Sequence, residues 1–147
     1  MLDAVSESTA PAGSQPTRSS AQTRRVAAID IGTNSTHLLV ASVDTTLGTF
    51  SIEQAEKSTT RLGERDPDSG ELTSAGMQRG YETLRRFRDL AISHDVEQIV
   101  TAATSAVREA PNGREFLQSI QDGLGMDVDL VSGPEEARLI YLGVLSG

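Results

Sequence analysis

The sequence lacks several residue types that commonly carry chemistry or stabilise small proteins. It has no cysteine and no tryptophan, and aromatic residues make up 3% of its 147 residues. The absence of cysteine excludes a disulfide framework, a thiolate metal site and a cysteine nucleophile. No apolar run approaches the roughly 18 residues that a membrane-spanning helix needs, so we expect no membrane partner.

Basic residues are also scarce. The chain carries 13 Lys and Arg against 21 Asp and Glu, which gives a formal net charge of −8. A general nucleic-acid binder needs a basic face to displace counterions, so this balance argues against a nucleic-acid partner. Within residues 1–25 basic side chains outnumber acidic ones, so the excess acid belongs to the remainder of the chain.

Residues 1–24 differ in composition from the rest of the chain. They are mostly Ser, Thr, Ala, Pro and Gln, with almost no bulky apolar side chain. Such a segment buries too little surface to offset the entropy lost on ordering, so we expect a disordered tail followed by a folded part over 25–147. The tail also lacks the apolar core of a secretory signal, so the expected location is the cytoplasm.

After the tail, apolar runs alternate with turn residues. Short apolar runs predict strands over 26–31, 38–43, 49–56, 98–103 and 128–131. Apolar residues at helical spacing predict a helix over 73–94, and capping-box spacing at Asn112 and Glu115 predicts another that ends near 123. A similar start at 132–135 predicts a final helix. The order β-β-β-α-β-α-β-α indicates an α/β domain with a mixed sheet and helices packed on it.

The segment between the first two predicted strands is the most informative local feature. Asp30 lies near the end of a strand predicted to be buried, where a carboxylate is costly unless it is paired or bound to a metal. Gly32 permits close approach of a ligand, and residues 33–36 bring hydroxyls and an amide into one turn. This pattern suits a phosphate cradle with a carboxylate for a hard cation such as Mg²⁺. An ordinary polar hairpin explains the same residues, and spacing alone leaves both interpretations open.

Four segments resemble motifs of a known family, in the same order. Residues 28–40, which read AIDIGTNSTHLLV, resemble the first phosphate loop of the exopolyphosphatase/guanosine pentaphosphate phosphohydrolase (Ppx/GppA) family. Lys57 with RLGE at 61–64, TSAVREAPN at 104–112 and SGPEEARLIYLGV at 132–144 resemble its later motifs. Members of this family have the actin-like ATPase (RNase H-like) fold, so the resemblance implies that fold here.

The resemblance also implies a function and a set of site residues. It implies a Mg²⁺-dependent hydrolase that releases terminal phosphate from inorganic polyphosphate. Glu136 matches the general base that activates the attacking water, and Asp30 matches a magnesium ligand. Phosphate contacts are implied for Gly32, Thr33, Asn34, Ser35, Thr104, Ser105 and Arg108. Lys57 and Arg61 are expected to contact a long polyphosphate. Spacing alone favours a simpler role for Glu136, as a solvated acid in the first turn of a helix.

Two alternative functions remain open at this stage. One is hydrolysis of guanosine pentaphosphate (pppGpp), which the residues do not distinguish from polyphosphate hydrolysis. The other is a non-catalytic module that binds phosphate or a partner protein. The family's second phosphate loop, Asp-x-Gly-Gly-Gly-Ser, has no counterpart here because the sequence contains no Gly-Gly pair. We therefore expect an N-terminal portion of such an enzyme that is inactive by itself. Homodimerisation is left open for the full-length protein.

Overall fold

The computed structural model describes residues 23–132, which form five strands and three helices. In chain order these are β1 (Thr23–Ile31), β2 (Ser35–Asp44), β3 (Thr49–Thr59), α1 (Ser74–Ser93), β4 (Gln98–Ala103), α2 (Ser105–Arg108), α3 (Gly113–Leu124) and β5 (Val128–Leu130). The predicted tail up to residue 22 and the predicted final helix after Ser132 lie outside the described residues. No helix in the described part of the chain is long and apolar enough to cross a membrane.

The strands form one mixed sheet in the order β3-β2-β1-β4-β5. β1, β2 and β3 pair antiparallel, as two successive hairpins, whereas β4 pairs parallel with both β1 and β5. Parallel neighbours end on the same side, so the carboxyl ends of β1, β4 and β5 meet at one end of the sheet. The predicted mixed sheet is confirmed, and this end of it collects the motif residues.

The helices cover one face of the sheet. Ala27, Ile29 and Ile31 of β1 point into the core below α1 and α3, while the alternate residues Ala28 and Asp30 are exposed on the other face. This alternation follows from the two-residue period of a strand. Helix residues that complete the core are Leu84, Phe87, Ala91, Phe116 and Ile120. We call the opposite side, with Ala28 and Asp30, the open face.

Strand boundaries differ from the predicted ones where polar residues continue the backbone pairing. β1 begins at Thr23, so Thr23 and Arg24 belong to the folded part and not to the tail. Thr23 pairs with Asp44, and Arg24 pairs with Val43, at the far end of β2. Backbone pairing does not require apolar side chains, so the apolar pattern underestimated the lengths of the first three strands.

The predicted capping box at Asn112 is wrong. Asn112 occupies the N-cap position of α3, but its side chain makes no hydrogen bond to that helix. Its Oδ1 instead accepts the Leu72 N–H at 2.8 Å, and its Nδ2 donates to the Leu72 carbonyl at 3.1 Å. The buried backbone of Leu72 needs both partners, and this need overrides the local capping pattern. The one-turn helix α2 was also absent from the prediction.

Candidate functional site

The connection between β1 and β2 is a tight loop over residues 32–34, here called the first loop. The Gly32 N–H donates to the Ser35 carbonyl at 3.0 Å and closes the loop. A Cβ atom at position 32 would lie 2.8 Å from that carbonyl oxygen, so the close approach requires glycine. Thr33 and Asn34 are exposed at its tip. The loop therefore presents a hydroxyl and an amide to solvent on a backbone of defined shape.

The segment after β3 packs against the first loop and satisfies its carbonyl groups. The N–H groups of Thr60 and Arg61 both donate to the Asn34 carbonyl at 3.0 Å. The Gly63 N–H donates to the Thr33 carbonyl at 2.8 Å. The RLGE motif and the first loop, about 30 positions apart in the chain, thus form one hydrogen-bonded unit.

The start of the TSAVREAPN motif lies on the other side of the first loop. The N–H and the hydroxyl of Thr104 both donate to the Ile31 carbonyl, at 3.2 and 3.3 Å. The hydroxyl oxygens of Thr33 and Ser105 lie 3.4 Å apart. Thr104 is 7% exposed, so its hydroxyl holds β1 and β4 together at their carboxyl ends. Ser105 is more accessible and lies beside the first loop, while the phosphate contacts of both residues stay predictions.

Asp30 lies on the open face and is exposed, which corrects the expectation of a buried carboxylate. Its partner on β2 is His37, and the partner of His37 on β3 is Lys57. Directly paired residues lie side by side on one face, about 5 Å apart, so these three side chains form a row across the strands. All three are exposed. Lys57 is therefore placed on the same face as Asp30, two strands away.

The predicted Mg²⁺ site depends on which carboxylates of the described residues lie close together. Within residues 23–132 no three His, Cys, Asp or Glu side chains converge closely enough to hold a metal ion. Mg²⁺ commonly uses one or two carboxylates and completes its coordination with water and substrate phosphates. Asp30 fits such a single-carboxylate role, because it is exposed and lies three residues before Thr33 at the exposed tip of the first loop.

Arg108 lies beside the point where the chain leaves β5. Its guanidinium donates to the Val131 carbonyl and lies 3.7 Å from the Glu109 carboxylate. Val131 in turn donates its N–H to the Ala103 carbonyl at 2.9 Å, which continues the pairing of β4 with β5 by one residue. Arg108 thus links the TSAVREAPN motif to Val131, the residue directly before the last motif. Glu136, the predicted general base, lies outside the described residues.

Sequence analysis missed three tertiary contacts that hold these segments together, made by the side chains of Arg65, Arg79 and Asn112. Arg65 donates to the Ala106 carbonyl at 2.6 Å, and Arg79 donates to the Thr60 carbonyl at 2.9 Å. These bonds, and that of Asn112, join positions 19 to 41 residues apart. No local pattern in the sequence marks such pairs, because the partner is a backbone carbonyl or N–H that any residue could supply.

Comparison with known proteins identifies the family. A model of the Ppx/GppA phosphatase family matches residues 39–147, well over half of the chain. This chain belongs to the Ppx/GppA phosphatase family. The match begins within β2, so the first loop and β1 precede the matched residues.

Curated members of the family agree with this assignment. Exopolyphosphatase 1 of Mycobacterium tuberculosis and that of Mycobacterium bovis are each 34% identical to this chain over 121 residues. The aligned part covers 82% of this chain and 35% of each relative. The chain therefore spans about a third of the length of these Ppx/GppA relatives.

Solved Ppx/GppA structures share the fold. A family member from Aquifex aeolicus matches with a TM-score of 0.77 and 31% identity, over 83% of this chain and 39% of its own. An exopolyphosphatase from Cytophaga hutchinsonii matches with a TM-score of 0.76 and 33% identity, over 82% of this chain and 38% of its own. The predicted actin-like (RNase H-like) fold is confirmed.

Proposed function

We propose that this chain supplies the first-loop side of the active site in a hydrolase that releases terminal phosphate from inorganic polyphosphate. The observation that supports this most directly is the meeting of three family motifs at one end of the sheet. The first loop bonds to residues 60–63 on one side and approaches Ser105 on the other. The mycobacterial relatives are named exopolyphosphatases, which favours polyphosphate as the substrate class.

The proposed roles follow from what each described group can donate. Exposed Thr33 and Asn34 at the tip of the first loop would donate hydrogen bonds to phosphoryl oxygens, together with Ser35. The Arg61 side chain is 67% exposed and would contact the next phosphates, as would Lys57. Asp30 would hold Mg²⁺, which, when bound, offsets negative charge on the phosphate oxygens. Such positioning and charge stabilisation make up most of the catalysis of phosphoryl transfer.

The first experiment concerns which part of a Ppx/GppA enzyme this chain contributes. We expect the purified 147-residue chain to bind polyphosphate but to release negligible phosphate. A protein that also carries the Asp-x-Gly-Gly-Gly-Ser loop should release phosphate in the presence of Mg²⁺ and stop when EDTA removes the metal. Robust Mg²⁺-dependent turnover by the 147-residue chain alone would refute the division of roles proposed here.

The second experiment concerns the general base. In the protein with both loops, Glu136→Gln removes the carboxylate that would activate water, so phosphate release should fall by roughly 100-fold or more. Affinity for polyphosphate should change little. Glu135→Gln is the matched control, since it removes a neighbouring charge of the same kind. Unchanged release by Glu136→Gln would instead favour a non-catalytic binding module.

Guanosine pentaphosphate is the second candidate substrate, because the matching family model covers both Ppx and GppA proteins. Both substrates present a terminal phosphoanhydride to the same loop, so the first loop does not discriminate between them. Comparing initial rates of phosphate release from polyphosphate and from pppGpp, at equal concentration of terminal phosphate, decides which is preferred. Faster release from pppGpp would overturn the polyphosphate assignment and leave the roles of the first loop intact.

A further inference from the structure

Arg79 of α1 bonds both ends of the five-residue turn 60–64, which contains the RLGE motif, with one guanidinium group. Its Nε donates to the Thr60 carbonyl at 2.9 Å, and its Nη2 donates to Glu64 Oε2 at 3.1 Å. The guanidinium fork is rigid and planar, so both contacts constrain the same five-residue turn. The turn is anchored between them by Leu62, which is buried in the core and packs beside Gly80 of the same helix.

The backbone of this turn is held in a conformation that it would not adopt freely. Arg61 has a φ of 50°, in the left-handed region that side chains other than glycine rarely occupy. Such a residue persists only where its surroundings impose it. In this conformation the N–H groups of Thr60 and Arg61 converge on the single carbonyl of Asn34. The shape of the first loop therefore depends on the shape of the turn.

Glu64 adds an electrostatic consequence. Its carboxylate lies 3.1 Å from Arg79 and 4.0 Å from Arg61, so the two cations share one anion. The closer contact is with Arg79, whose Nη2 donates one charge-assisted hydrogen bond to Glu64 Oε2. With Arg79 removed, Glu64 has Arg61 as its remaining partner of opposite charge in this turn. Arg61 would then be less available to an external anion.

We propose that Arg79 is a positioning residue for phosphate binding: it fixes the turn that shapes the first loop and engages Glu64 so that Arg61 faces the substrate. The part about phosphate binding rests on the function proposed above, whereas the part about the turn stands on the hydrogen bonds alone. Arg79 itself touches no proposed substrate position. Its effect passes through Thr60, Asn34 and Arg61.

The first test uses amide hydrogen exchange in the 147-residue chain and needs no ligand. In Arg79→Ala, exchange at the Arg61 and Gly63 amides should accelerate by about tenfold or more, since a charge-assisted bond to the turn is lost. Arg79→Lys keeps the charge but cannot span both partners, so an intermediate rate is expected. Arg85→Ala is the matched control: it removes a cation from the same helix, and Arg85 pairs with exposed Glu82 instead.

The second test measures the affinity of the same variants for inorganic polyphosphate. Arg79→Ala should weaken binding by about tenfold, whereas Arg85→Ala should change it little. Adding Glu64→Gln to Arg79→Ala should restore part of the affinity, because the freed Arg61 no longer faces a competing carboxylate. The fast exchange of the turn should remain in that double variant. Glu82→Gln in the same background removes an equal charge from α1, so recovery with Glu64→Gln but not with Glu82→Gln indicates a role in presenting Arg61, and equal recovery contradicts it.

The outcomes separate this inference from the proposed function. Unchanged exchange in both Arg79 variants would show that Arg79 does not hold the turn and would overturn the inference. Equal losses of affinity in Arg79→Ala and Arg85→Ala would show that Arg79 contributes only its net charge. That result would also overturn the inference. Absence of polyphosphate binding by the unaltered chain would count against the proposed function, and exchange would then decide the structural part by itself.

Discussion

Arginine side chains hold the two ends of the sheet in different ways. At the end where β1 and β4 terminate, Arg65 and Arg79 each donate to a backbone carbonyl of a loop or short helix. At the opposite end, Arg24 pairs with the carboxylate of Glu97, and both side chains are about half exposed, while Arg25 reaches the His94 carbonyl only at a longer 3.4 Å. Bonds to carbonyls position backbone that has no regular pairing, whereas exposed ion pairs join strands that the sheet already fixes. The difference predicts where substitutions will be costly.

The largest effect is expected for Asn112→Ala at the motif end. Both bonds to the buried backbone of Leu72 are lost, and each group left without a partner costs roughly 1–3 kcal/mol. Urea unfolding of the chain measures this loss. Asn112→Asp keeps the acceptor for the Leu72 N–H but buries a carboxylate against the Leu72 carbonyl, so at pH 7 its loss should be at least as large as that of Asn112→Ala. A loss below about 0.5 kcal/mol, as for an ordinary surface substitution, would contradict the comparison.

The next effect concerns the hydroxyl pair of Thr36 and Thr60, whose oxygens lie 3.2 Å apart in the core beside the first loop. Changing either one to Val leaves the other hydroxyl buried without its partner, at a cost of about 1 kcal/mol. The double substitution removes both polar groups and should cost less than the sum of the single ones. Purely additive losses in this double-mutant cycle would mean that the two hydroxyls do not depend on each other.

A smaller effect is expected at the opposite end of the sheet. Arg24→Ala removes an exposed ion pair with Glu97, and such pairs contribute about 0–1 kcal/mol. High salt screens this pair, so the difference between the variant and the unaltered chain should shrink further in 1 M NaCl. Thermal unfolding at low and high salt checks both expectations. A salt-independent loss as large as that of Asn112→Ala would break the proposed distinction between the two ends.

The smallest effect is expected at Asp66, in the loop between β3 and α1. The Ser69 and Asp68 backbone N–H groups donate to its carboxylate and hold its pKa below the ordinary value of 3.8. Because the pKa is lower in the folded chain, these bonds add stability above pH 3.8 and lose it as the pH falls through the folded pKa. An NMR titration should place the Asp66 midpoint below 3.8. Asp66→Asn should remove the corresponding pH dependence of unfolding.

Much of the architecture was predictable because it depends on patterns within single segments. The apolar run at Gln98–Ala103 marked β4 with its observed bounds. The helical spacing of apolar residues predicted α1 to within one residue at each end, Ser74–Ser93. The order of elements followed from these patterns, and the four ordered motifs indicated the Ppx/GppA family. Burial of one face of each element is a local property, so periodicity captures it.

The candidate site was predictable only in part. The first loop was identified as a unit, and Gly32 proved necessary for its closure. The exposure of Asp30 was not anticipated, because an apolar run suggested burial on both faces whereas the structure shows an open face. The role of Asn112 was misassigned, since its capping pattern competed with a distant backbone partner. Each error concerns a contact whose partner lies elsewhere in the chain.

By itself, the sequence determined the kinds of elements, their order, the family and the chemistry of the first loop, because these depend on residue types and their spacing. Only the tertiary structure decided which segments meet. It brought the Asn34 carbonyl to the amides of Thr60 and Arg61, and it placed Arg79 across the turn that carries them. Hydrogen bonds to backbone groups can form with any residue type, so their partners are set by three-dimensional proximity and leave no mark in the sequence.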